Sequence, residues 1–145
     1  MFTPILVPLD GSEFSEHAIA PARSLAETYG ARITLLTVLV QVPASRLQVP
    51  TLDQRSEARG RRYLEDVRAT HMGASAMPVD LVVKHGMPAE TIAEVARDSQ
   101  ADLIVMSTHG TSGTRYTLGS TAWKTLQDAP CPVLLMTAHR PMSTG

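Results

Sequence analysis

Pro4-Ile-Leu-Val-Pro-Leu9, followed at once by Asp10-Gly11-Ser12, decides how the rest of this chain is read. The six residues are apolar without polar alternation, the pattern of a strand buried on both faces of a sheet. Asp10-Gly11-Ser12 supplies a turn and then a helix N-cap. A strand covered on both sides needs helices on both sides, and the downstream spacing provides them. Residues 13–29 predict a helix with Phe14, Ala18, Ala22, Leu25, Ala26 and Tyr29 on one stripe. Gly30 ends it, and Pro21 inside it predicts a kink or a locally unbonded turn.

The same alternation continues. Residues 32–39 read as a strand, 53–71 as a polar, Arg-rich helix with Ala58, Leu64 and Val67 as its buried positions, and 79–85 as a third strand. Pro88 suits the first position of a helix to about Ser99. Residues 102–106 form the fourth strand, a helix runs from Gly119 or Ser120 to Asp128, and residues 131–137 form the last strand. Five strands alternating with four helices imply parallel pairing through right-handed crossovers. The expected fold is α/β, an open five-stranded parallel sheet with helices on both faces, Rossmann-like in architecture. Such sheets bind ligands at the carboxyl ends of their strands, where the strand order reverses. Asp10 and the loop after Met106 are therefore the first places to look.

Composition narrows the function classes. The chain has 145 residues, the length of one domain, with residues 139–145 read as a frayed tail. Thirteen Lys+Arg against fourteen Asp+Glu leave a formal charge of -1, so there is no basic field to hold a nucleic acid. The lone Cys131 excludes an intrachain disulfide and fits a reducing compartment. The first residues do not read as a signal peptide, and no run approaches the ~18 apolar residues that cross a bilayer. Together these point to a cytoplasmic protein with no membrane insertion. Residues 41–51, with Pro43 and Pro50, are long for an α/β connection, where roughly 2–6 residues are usual, and are read as a lid or partner surface. The seven methionines read as core filler, and Trp123 falls where a polar helix face is expected.

The most informative stretch is Ser107-Thr-His-Gly-Thr-Ser-Gly-Thr-Arg-Tyr-Thr-Leu-Gly-Ser120. Gly110 and Gly113 let a ligand approach the backbone closely. Gly119-Ser120-Thr121 opens a helix whose first N–H groups and dipole favour an anion, and Ser120 and Thr121 add hydroxyls. These are the parts of a phosphate cradle, to which Arg115 could add charge. On composition alone a plain βα loop with a helix cap accounts for them equally well. Asp10 could accept hydrogen bonds from ribose hydroxyls or a base amine, or could tie down its own Asp-Gly turn. Neither G-x-x-x-x-G-K-[ST] nor G-x-G-x-x-G occurs, nor H-E-x-x-H or G-x-S-x-G, and the histidines show no metal-ligand spacing. No metal site and no catalytic residue is assigned. His109 reads as a surface loop residue and Cys131 as a packed thiol.

With these motifs in order, the chain resembles the universal stress proteins over nearly its whole length. The resemblance is carried by residues 5–12, by Gly86-Met-Pro-Ala-Glu90, by residues 101–110, by Leu118-Gly-Ser120 and by Ala129-Pro-Cys-Pro-Val133. It implies the adenine nucleotide alpha hydrolase-like version of the fold and, in many members, ATP binding. Through the family's G-2X-G-9X-G-[ST] loop it implies that Gly110, Gly119 and Ser120 hold phosphates. Asp10 is implied to contact the nucleoside and Val38 to lie beside the adenine, with Pro8, Met106, Ser107 and Thr121 completing the site. Two departures stand out: Ser107 replaces the first glycine, and the spacer from Thr111 to Leu118 is one residue short.

The function implied is an ATP- or AMP-binding stress-response regulator, with Mg2+ accompanying the nucleotide, rather than an efficient enzyme. The rivals are a nucleotide-free protein-interaction module and a slow ATP-hydrolysing or autophosphorylating enzyme. The resemblance also implies a homodimer through the last strand, from Val133 through Thr137.

Overall fold

In the computed structural model, residues 2–40, 52–73, 77–108 and 118–137 are described, with backbone alone at 52–55. Predicted features at His109, Gly110, Gly113 and Arg115, the 41–51 loop and the 139–145 tail lie outside them. The strands are β1 (Pro4–Leu9), β2 (Arg32–Leu39), β3 (Val79–His85), β4 (Leu103–Ser107) and β5 (Val133–Met136). They form one parallel sheet in the order β3-β2-β1-β4-β5. The helices are α1 (Glu13–Glu16), α2 (Ile19–Tyr29), α3 (Leu52–Val67), α4 (Pro88–Asp98) and α5 (Ser120–Asp128), with a π-helical turn at Arg68–Met72 after α3.

The parity of the strands sorts the core into two layers. Ile5, Val7, Ile33, Leu35 and Val105 face α2 and α3, meeting Ala18, Ile19, Ala22, Ala26 and Leu64. Leu6, Leu36, Ile104 and Met106 face the other way, toward Ile92, Ala96 and Ala122 of α4 and α5. β1 is buried along almost its whole length, which is why its residues show no alternation.

Several boundaries differ from expectation. The helix predicted over residues 13–29 is two helices, because Pro21 has no N–H and its ring would strike the carbonyl of His17. The chain tightens there instead, with His17 N–H donating to Phe14 O and Ala18 N–H to Ser15 O, both at 3.3 Å. Pro21 then falls in the first turn of α2, where no intrahelical donor is needed. Gly30 ends α2 in the left-handed conformation, as expected. Phe14 and Tyr29 are exposed, and Ile19 takes the buried place instead. In α3 the buried line is Gly60, Leu64 and Val67, and Ala58 is exposed. A Cβ at Gly60 would stand 3.2 Å from Val83 Cγ1, so the glycine lets α3 approach β3 closely. Met72 and Met106 are buried, whereas Met87 is 56% exposed and is not core filler. β4 is shifted one residue along from the predicted 102–106, and β5 is shorter than predicted at both ends.

Candidate functional site

Strand order reverses at β1. From its carboxyl end the chain enters α1 and α2 on one face of the sheet, whereas α5, the next helix after β4, covers the other. The gap left between the two strand ends is a cleft of about 300 Å3, within the size range of small-molecule sites. Its apolar wall comes from Pro8, Val38 and Met106 on the sheet and from Pro88 and Ile92 at the start of α4. Its polar side comes from Asp10, Ser15, Ser107, Thr108, Ser120 and Thr121, with Gly119 and Ala122 beside them. Every predicted site residue within the described chain therefore lines this one cleft.

Local chemistry explains how each polar group is held. Ser12 N–H and Oγ both donate to Asp10 Oδ1, at 2.9 and 2.5 Å, and Ser12 Oγ in turn accepts Ser15 N–H at 3.1 Å as the cap of α1. Gly11, at φ 88, makes the turn possible. Asp10 thus does tie down its own turn while standing at the cleft. Ser15 Oγ donates to Ser12 O at 2.9 Å and accepts Asp10 N–H at 3.3 Å, so it stiffens the same turn.

Across the cleft, Gly119 is the extended N-cap residue of α5 and makes no side-chain cap. Its own N–H donates to Thr108 O at 2.8 Å, which pins the helix start to the end of β4. The bare donors of α5 therefore begin at Ser120, and Trp123 N–H closes the first turn onto Gly119 O at 2.9 Å. Ser107 is buried within β4, in register with Met136.

The sequence argument missed Thr108. Its side chain is 8% exposed, it lines the cleft, and Oγ1 has no hydrogen-bond partner among the described residues. A buried hydroxyl so placed is open to a hydrogen bond from within the cleft. The signal was available, since Thr108 is the first residue beyond a buried strand at the switch point. Behind α1, Glu16 accepts from Tyr63 Oη at 3.2 Å and lies 3.4 Å from His71 Nε2. Burial, then the Glu16 carboxylate, push the Tyr63 phenol well above its ordinary range. Cys131 is a free thiol pushed up by burial and by Asp102, which fits a packed rather than reactive sulfur. Among the described residues no group of three or more His, Cys, Asp or Glu is gathered to hold a metal ion.

The profile of the universal stress protein family matches residues 1–136. This chain belongs to the universal stress protein family. A universal stress protein of Thermus aquaticus, named for its place in the QAH/OAS sulfhydrylase 3' region, is 38% identical over 94% of this chain and 99% of its own length. Universal stress protein MJ0531 of Methanocaldococcus jannaschii is 32% identical over 94% of this chain and 82% of its own. Among solved structures, UspA from Lactobacillus plantarum superposes with a TM-score of 0.81 at 27% identity, covering 93% and 97% of the two chains. A universal stress protein solved in complex with cAMP superposes at 0.74 with 20% identity, covering 94% and 98%, and this likeness is one of fold. The five-stranded parallel sheet with helices on both faces is thus the universal stress protein fold. Among the described residues no helix is long and apolar enough to cross a membrane.

Proposed function

We propose that this universal stress protein binds an adenine nucleotide, ATP or AMP, in the cleft and acts as a nucleotide-dependent regulator of a stress response. One observation carries the reading: the first turn of α5, without a side-chain cap, and Thr108 Oγ1, without a partner among the described residues, meet in one cleft at the topological switch point. Ser120 and Thr121 would add hydroxyl donors to the phosphates, with Gly119 giving the backbone room. Asp10 would take the ribose, and Pro8, Val38 and Met106 would flank the base and sugar. Gly110 belongs to the same cradle by resemblance. Magnesium would arrive on the nucleotide's own phosphates. A cytoplasmic, reducing setting suits the free Cys131.

The family member solved with cAMP supports a nucleotide as the class of ligand. The reading calls for binding and not turnover, because Asp10, the one acid among the described lining residues, is engaged by Ser12 N–H and Oγ. A dimer through β5 belongs to the same proposal. β5 is an edge strand, its Leu134 is 37% exposed, and an apolar edge left bare invites pairing.

The test is calorimetric titration of ATP with magnesium into wild type and Gly119→Val. Binding by wild type that the valine abolishes supports the cleft. Absence of heat from a folded wild type gives the lead to the nucleotide-free interaction module, the reading that Ser107 in place of glycine favours.

A further inference from the structure

The carboxyl edge of the sheet carries a further group one strand out from the residues that line the cleft. Val38 pairs in register with Lys84 of β3, Leu9 with Thr37, and Leu6 with Ile104. Continuing these registers sets Thr108, Asp10, Val38 and Lys84 in one row from β4 through β1 and β2 to β3. At about 4.8 Å between strands, the row spans roughly 14 Å. Lys84 also shares a sheet face with Val38, because Val82, two residues before it, packs in the α4–α5 layer.

Lys84 is exposed, and no ion pair or hydrogen bond engages it among the described residues. The two acids paired around β3 are engaged elsewhere: Asp80, toward the opposite end of the strand, pairs with Arg32 at 3.0 Å, and Glu57 pairs with His85 at 2.9 Å. Lys84 is also the only described lysine or arginine that a strand carries at this edge, since Arg32 stands at the opposite end of β2. Val40, which lines the cleft, and Met87, just before α4, are 58% and 56% exposed. A flat ring resting on Val38 would present its far edge to the Lys84 ammonium.

We infer that Lys84 reads the outer edge of the base and opens the cleft to 6-oxopurine nucleotides, guanine or hypoxanthine, alongside adenine. The inference rests on the nucleotide reading of the cleft. An ammonium has three donors and no acceptor. The O6 and N7 of a 6-oxopurine are both acceptors, and lysine pairs with them. The N6 and N7 of adenine offer a donor and an acceptor, which an amide side chain matches instead. Phosphate would lie at Thr108 and α5, sugar at Asp10, base at Val38, and the selecting group at Lys84.

The test is titration of ITP and of ATP, each with magnesium, into wild type, Lys84→Gln and Lys84→Met. Wild type should bind ITP within about tenfold of ATP, and Lys84→Gln should weaken ITP by about tenfold or more while leaving ATP equal or tighter. Lys84→Met, which keeps the stem and removes the donors, should weaken ITP without tightening ATP. Wild type that binds ATP and not ITP overturns the role of Lys84 alone, as does an equal shift of both nucleotides in the variants. A folded wild type that binds neither nucleotide overturns the reading of the cleft, and this inference with it.

Discussion

A buried hydroxyl with no partner costs about 1–3 kcal/mol, and Thr108, whose Oγ1 has none among the described residues, carries one into the cleft. Thr108→Val keeps the shape and removes that cost, so without ligand its unfolding free energy should rise by up to ~1–2 kcal/mol in denaturant titration. The same variant should bind nucleotide several-fold more weakly by calorimetry. Opposite signs in the two measurements are the signature of a ligand-directed group, and a fall in stability would mean that the hydroxyl is already satisfied. Gly86 shows the reverse case. At φ 150 with Thr91 Oγ1 only 2.6 Å from any added Cβ, Gly86→Ala should lose ~1–3 kcal/mol of stability at the β3–α4 turn. Tyr63 contributes to the alkaline limb. Its phenol is raised in the folded state, so its contribution is present in full below the unfolded value of about 10 and is lost as pH climbs beyond it. Tyr63→Phe should flatten the fall in thermal midpoint above pH 10, and an unchanged slope would place its cause elsewhere.

At the scale of elements, the strands were the legible part. β1 begins and ends where its hydrophobic run does, since a strand buried on both faces leaves no room for polar residues, and the β-branched runs of β2 and β3 mark those strands despite Arg32, Asp80, Lys84 and His85 near their ends. The break between α1 and α2 was foreseen only as a disturbance at Pro21, because proline forbids one hydrogen bond without saying how the chain will recover it. The exposure of Phe14 and the burial of Gly60 were hidden for a different reason. Both depend on which neighbour lies opposite, and helical periodicity does not name the neighbour. The site divides in the same way. Asp10, Ser120 and Thr121 follow from strand ends and helix starts, and so does the place of Thr108, whereas the lack of a partner for its hydroxyl among the described residues is a property of the assembled fold. At β5, Leu134 is the cleaner probe of pairing, because Leu135 packs into the α4–α5 layer. Leu134→Glu should leave a folded monomer in sedimentation, and an unchanged mass would remove β5 from the interface.

For the molecule as a whole, the cleft lies between the helix layers of both faces, so ligand binding should stabilise the entire fold. Nucleotide at a hundred times its dissociation constant contributes about 2.7 kcal/mol, enough to raise the unfolding midpoint by several degrees. A midpoint that ignores saturating nucleotide would argue against a site in the folded state. The strand order has a further consequence, for how the protein is made. On the ribosome, β1, β2 and β3 can pair as soon as residue 85 has emerged, but the second edge of β1 must wait for β4, which ends at Ser107. At roughly 5–20 residues per second, those further residues take on the order of one to a few seconds. Throughout that interval Ile5, Leu6 and Val7, the most deeply buried strand of the finished protein, form a bare edge on a half-made sheet. Chaperone capture of the nascent chain should therefore peak while residues 86–107 are being synthesised, and slow codons in that segment should lower the yield of native protein.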